Sequence, residues 1–137
     1  MALDLTKNDL SAKAEIGYEF ELKLPDSEED SGAFVTVRGA ESKSVKAYQR
    51  LKFKEYQARN NAAKKRNKDV DDFSIDEAEE LAVEAAVGRI KDWKGISESG
   101  KDVPFTKENA TRILTEHSWI REQIMEASND LINFQGN

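Results

Sequence analysis

His117, two runs of carboxylates and one block of lysines and arginines are the groups whose type and clustering could do chemistry in this chain. His117 is the only histidine and stands between Glu116 and Ser118. A Ser–His–Asp arrangement needs a scaffold such as a nucleophile elbow to bring its members together. No such motif is written here, so His117 reads as a surface or capping residue at a corner between helices. The carboxylates cluster at Glu28-Glu29-Asp30 and at Asp69 to Asp72. General acid–base or metal chemistry needs carboxylates that converge within an organised shell. Neither run has the central glycine and terminal glutamate of a calcium loop, so both read as solvated acidic loops. Gly95 and Gly100 are too sparse for a phosphate loop and lack the trailing Lys-Ser/Thr. The chain has no cysteine, which excludes disulfides and thiolate metal sites. The expectation is a protein that is not an enzyme and that uses no metal and no cofactor.

The basic block is the stronger signal. Residues 43–68 hold 10 basic residues and 1 acidic one, although the whole chain carries a net charge of −6. Tyr48, Phe53 and Tyr56 interleave with those cations, an arrangement able to neutralise phosphates and stack bases. Tyr48 and Tyr56 also fall on the apolar stripe of a helix, where packing explains them. Acidic stretches flank the block on both sides, so the cations either meet an anionic partner or are neutralised within the chain. Arg59, Lys64, Lys65 and Arg66 are the candidate contacts to an anionic partner.

The elements that would position these groups follow from periodicity. Residues 1–14 read as a short helix after Thr6 or a loose tail. Phe20, Leu22 and Leu24 alternate with charged residues until Pro25, and Phe34-Val35-Thr36-Val37 is rich in β-branched and aromatic residues. The two runs read as an antiparallel hairpin over 15–40, closed by Gly39. Ser42 or Ser44 caps a helix that carries Val45, Tyr48, Leu51, Lys52 and Tyr56 on one face. Ser74-Ile75-Asp76-Glu77 fits a capping box and opens a helix to about Lys91, apolar on much of its circumference and a candidate central helix. Residues 92–105 read as a loop. Thr106 caps a short helix to about Glu116, with Ala110, Ile113 and Leu114 inward. Ser118 caps a last helix in which Ile120, Ile124, Ala127, Leu131 and Phe134 step by four and three, ending at Gly136. The fold class expected is α+β and predominantly α: one domain over 1–137, with an N-terminal β-hairpin packed on about four helices over 43–134.

Trp93, Phe105 and Trp119 either anchor the 92–105 segment against the last helix or form an exposed patch that meets a partner helix. Ile120, Ile124 and Leu131 belong to the last helical stripe, which suits a core as well as a helix-in-groove contact. These six are the candidate partner-binding residues. The start, Met1-Ala2-Leu3-Asp4-Leu5, has no basic n-region or apolar h-region, so no secretory signal is expected. No apolar run reaches the ~20 residues of a membrane span, so no membrane partner is expected.

One ordered set of short motifs adds a family. Trp93-Lys94-Gly95-Ile96, Gly100-Lys101, Val103-Pro104-Phe105-Thr106, Glu108-Asn109-Ala110, Trp119-Ile120-Arg121-Glu122-Gln123-Ile124 and Asn133-Phe134 resemble the C-terminal half of tail assembly chaperones from long-tailed bacteriophages and prophages. Upstream, Phe20 to Leu24, Phe34 to Gly39 and a charged helix are similar in pattern. The resemblance implies a non-catalytic role: binding the long, helical, aggregation-prone tape measure protein, keeping it soluble, and helping the tail tube protein polymerise around it. It implies residence in the bacterial host cytoplasm, absence from the mature virion, and in many members a longer form made by frameshifting. Self-association, a small nucleic-acid-associated protein using the 43–68 helix, and a structural tail completion subunit are the other expectations.

Overall fold

A computed structural model of the chain describes residues 2–6, 9–65 and 75–135, with the backbone alone at 63–65. Its centre is a three-stranded antiparallel sheet in the order β1-β2-β3: β1 Tyr18–Lys23, β2 Asp30–Val37 and β3 Ile90–Lys94. The middle strand, β2, shows the alternation of a half-buried strand, with Ala33, Val35 and Val37 buried and Phe34 and Thr36 less so. Helix α1 (Leu10–Ile16) precedes the sheet, and Asp9 caps it by accepting from Ala12 N at 3.2 Å. Helix α2 (Lys43–Lys65) follows β2, and α3 (Ile75–Val87) precedes β3. A small hairpin, β4 (Ser97–Glu98) with β5 (Lys101–Asp102), leads to α4 (Lys107–Glu116), α5 (Ser118–Asn129) and a 3-10 turn over Leu131–Phe134. The fold is mixed α+β, with five α-helices among the described residues.

The hairpin is as expected, with Leu24 to Glu29 as its loop. The helical reading of 43–134 is corrected by β3. Ile90 continues the four-and-three step of Val83 and Val87 but opens a strand, in which Ile90 and Trp93 are both buried although three residues apart. A bulge accounts for that spacing: Thr36 faces Asp92 but Val37 faces Ile90, so one residue of β3 is left over. The extra residue turns Trp93 and Ile90 to the same face. Helix α3 therefore stops at Val87 rather than near Lys91. It is not buried all round either. Val83, Ala86 and Val87 are buried, whereas Ala78, Leu81 and Ala82 are exposed. The glycine after β3 is required by the backbone: Gly95 has φ +81, and a Cβ there would sit 2.6 Å from Gly32 O.

Caps confirm two helix starts. Thr106 Oγ1 accepts from Asn109 N at 3.0 Å, and Ser42 Oγ accepts from Val45 N at 3.1 Å. Ser118 is the first residue of α5 rather than its cap; His117 holds the cap position, with no side-chain cap bond. The last helix is shorter than its stripe. Asp130 ends α5 and accepts from Ile132 N at 3.2 Å, so Phe134 reaches the core through the 3-10 turn. The capping box at Ser74 and the C-cap at Gly136 lie outside the described residues.

A polar cluster under the C-terminal end of α5 joins the halves. Ser128, 1% exposed, donates from Oγ to Arg38 O at 2.6 Å. Arg89 donates from Nη1 to Ser128 Oγ at 3.1 Å and to Asn129 Oδ1 at 2.6 Å. Ala40 N donates to Ser128 O at 3.0 Å. Burial holds Arg89 below its ordinary pKa, and the end of a helix is where a cation is favoured. Ser128→Ala leaves the Arg38 carbonyl and an Arg89 donor unpaired in the interior. The expected cost is about 1–3 kcal/mol in urea unfolding with an unchanged m-value.

Glu15 ties α1 to α2. Its Oε1 accepts from Ser44 N at 2.6 Å, and its Oε2 lies 3.5 Å from Arg38 Nε. Hydrogen bonding from Ser44, side chain first and backbone second, lowers the Glu15 carboxyl from its ordinary 4.5. A carboxyl lowered by folding stabilises the fold above its unfolded value, and that stability disappears as pH falls through the lowered folded value. The midpoint of urea unfolding should fall below about pH 4.5, and Glu15→Gln should flatten part of that acid limb.

Candidate partner-binding site

Two grooves with no lining residue in common carry exposed apolar surface. The first lies between β1 and α5 and measures about 870 Å³. Tyr18 and Phe20 come from β1, Leu24 and Pro25 from the hairpin loop, and Trp119 and Ala127 from α5. Period two puts Tyr18, Phe20 and Leu22 on one face of the strand. Leu22 is sealed at 2% exposure, while Tyr18, Phe20 and Trp119 stay half-buried. Tyr18 and Phe20 stack with ring centroids 6.4 Å apart, and Phe134 meets Tyr18 edge-on at 6.1 Å. Gln123 fixes the width of the groove. It accepts from Lys23 N at 2.8 Å and donates to Lys23 O at 3.0 Å, which closes the outer edge of β1 at that end. Glu28, Glu122 and Glu126 stand on its walls.

The candidate partner-binding residues separate into three groups. Trp93, Ile120 and Ile124 are core, at 6%, 6% and 0% exposure, and offer no surface to a partner in this fold. Trp93 also donates from Nε1 to Val103 O at 2.8 Å and meets Phe105 edge-on at 5.2 Å. Phe105 is half-buried against it and anchors the β4–β5 segment. Trp119 lines the groove, and Leu131 is 44% exposed on the 3-10 turn. Tyr18 and Phe20 are groove residues that were not among the candidates. The alternation of Phe20 with Leu22 and Leu24 marks the strand, but a strand pattern alone does not say which end of its buried face stays open.

The second groove, about 460 Å³, runs between α2 and α3 and is lined by Tyr48, Phe53, Tyr56, Leu81 and Ala85. Lys52 pairs with Glu84 at 3.0 Å and Arg59 with Glu77 at 2.5 Å across it. Arg59, a candidate contact for an anionic partner, is thus engaged with α3. Nothing is described for the side chains of Lys64 and Lys65, and Arg66 lies outside the described residues. His117 sits at the α4–α5 corner, with Nε2 3.9 Å from Glu116 Oε2 and its ring 6.3 Å from Trp119. No group of three or more His, Asp or Glu converges on a metal position among the described residues. Among them, too, no helix is long and apolar enough to cross a membrane.

In comparison with protein families, the YdaY prophage protein model matches residues 40–137. The chain belongs to the YdaY prophage protein family. The match runs from just before α2 to the C-terminus, so the family region includes the buried arginine, both tryptophans, the α5 wall of the first groove and both walls of the second. The β1 wall of the first groove lies outside it. Comparison with curated proteins and with solved structures gives no match.

Burial separates the last helical stripe into core and surface. Ile124→Ala should cost about 2–5 kcal/mol. Leu131→Ala should stay within about 0.5 kcal/mol. Chemical denaturation of both variants checks the pair.

Proposed function

We propose that this prophage-family protein is a tail assembly chaperone that binds and solubilises the tape measure protein during tail morphogenesis. The client contact is the β1–α5 groove. The observation that carries this reading is the half-exposed aromatic strip of Tyr18, Phe20 and Trp119 in an open groove of about 870 Å³. An aromatic-floored groove of that kind suits the apolar face of an amphipathic helix, the form in which a long helical client would present itself. Membership of a prophage family and the ordered motifs from Trp93 to Phe134 supply the biological setting. The remaining surface is rich in charge, with 35% of residues Asp, Glu, Lys or Arg, and keeps a bound apolar client in solution. The chaperone acts in the host cytoplasm, hands the client to tail tube subunits and is absent from the finished particle. Apolar contact in this groove resists salt, whereas nucleic-acid binding through α2 would fall steeply with it.

Co-expression with the longest helical protein encoded nearby tests the proposal. The chain should make that protein soluble and co-purify with it. Phe20→Ser and Trp119→Ala should each cut recovery of soluble client about tenfold, the loss of roughly 1.4 kcal/mol of contact. Far-UV circular dichroism should show both variants folded. A client that stays insoluble with the wild-type chain, or that is recovered equally with folded variants, overturns the reading.

A further inference from the structure

We infer, resting on the groove reading above, that the β1–α5 groove selects helices whose apolar stripe is flanked by lysine and arginine and turns away helices with acidic flanks. Charge on the groove walls points to this partner. Seven acidic residues line the groove against one basic residue, Lys23, which is already paired with Asp30. That excess of six equals the net charge of the whole chain, −6, so the imbalance of the sequence is gathered at this groove. Glu19 and Glu21 alternate with Tyr18 and Phe20 and so project from the other face of β1. Both are engaged there: Glu19 lies 3.5 Å from Lys94, and Glu21 Oε2 accepts from Gly32 N at 2.9 Å. Glu28, Glu122 and Glu126 are exposed and have no ion pair among the described residues.

Spacing turns these carboxylates into a row. Glu122, Glu126 and the C-cap Asp130 step by four along α5, about 6 Å apart, on the side of the helix that carries Trp119. A client helix that lies along α5 with its apolar stripe on Tyr18, Phe20 and Trp119 brings its flanking residues over this row. Lysines or arginines at four-residue spacing then meet the carboxylates in register, whereas acidic flanks meet like charge. Exposed pairs add little to affinity at physiological salt and act chiefly against partners of the wrong sign. The rings hold the client, and the carboxylates choose its charge.

Isothermal titration calorimetry of the full chain tests this at low ionic strength, where exposed charges are least screened. The probes are two synthetic amphipathic helical peptides of about 18 residues with the same apolar stripe, one flanked by lysines and one by glutamates. The lysine peptide should bind about tenfold more tightly, the combined effect of a few exposed pairs. Glu122→Lys with Glu126→Lys should reverse that order. Asp76→Lys with Glu80→Lys changes the net charge equally at exposed positions of α3 outside the groove, and should preserve it. Trp119→Ala should weaken both peptides alike. Equal binding of the two peptides overturns the inference and leaves the groove reading standing. An order unchanged by the α5 variant does the same, as does an order that the α3 variant also reverses, since net charge alone would then set it. Binding of neither peptide, or binding that Trp119→Ala leaves intact, overturns the groove reading and the inference together. Sedimentation of the chain then shows whether the basic α2 of a second copy fills the groove instead.

Discussion

Ser128 is the point at which the two halves of this fold are joined. Its hydroxyl donates to the carbonyl that ends β2 and accepts from Arg89 at the start of β3, while its own carbonyl receives Ala40 on the way into α2. A hydroxyl has one proton and two lone pairs, so a single small side chain serves strand, turn and helix together. Arg89 is buried with polar partners and, among the described residues, no carboxylate in an ion pair with it, a costly arrangement unless its hydrogen bonds are kept. Through these bonds Arg89 ties the start of β3 to the end of α5, beside the β2–β3 ladder. Gly39 shares the constraint, since a Cβ there would meet Ala14 at 2.9 Å and the Phe134 ring at 3.0 Å. The close approach of α1, the 3-10 turn and the β2–α2 link follows from that missing side chain.

Most of the fold was legible where one period ran unbroken. The hairpin, the starts of α2 and α4 and the inward residues of α4 all followed from alternation, from helical spacing and from a Ser or Thr in cap position. Reading stopped where a local device altered the period. Ile90 continued the four-and-three step of Val83 and Val87, so the first residue of β3 imitated a helix end. Asp130 broke a stripe that looked continuous from Ile120 to Phe134. At the candidate site, Trp119 was legible as an aromatic on the last helix. Its partners Tyr18 and Phe20 were not, because their meeting with α5 is set by tertiary packing across about one hundred residues. Ile124 and Leu131 shared a stripe in sequence but not an environment, and only the placement of the 3-10 turn separates them.

The chain thus builds a lean core and leaves two apolar surfaces outside it. The core is assembled mostly from small and medium side chains such as Val35, Val37, Ala86 and Leu114, with Trp93 and Phe134 as its large anchors. Its larger aromatics are therefore free to face grooves. The β1–α5 groove is walled by carboxylates and floored by aromatic rings. The α2–α3 face sets a cationic helix beside an anionic one. The two lie on different elements and share no lining residue.

The central claim is that Trp119 meets the client in the β1–α5 groove. Trp119 fluorescence reports on it directly once Trp93 is replaced by Phe, so that one indole remains. Titration with an amphipathic helical segment of the tape measure protein should shift the Trp119 emission to shorter wavelength, saturably and with little dependence on salt. Binding of that segment with no change in Trp119 emission would place the client elsewhere and contradict the account.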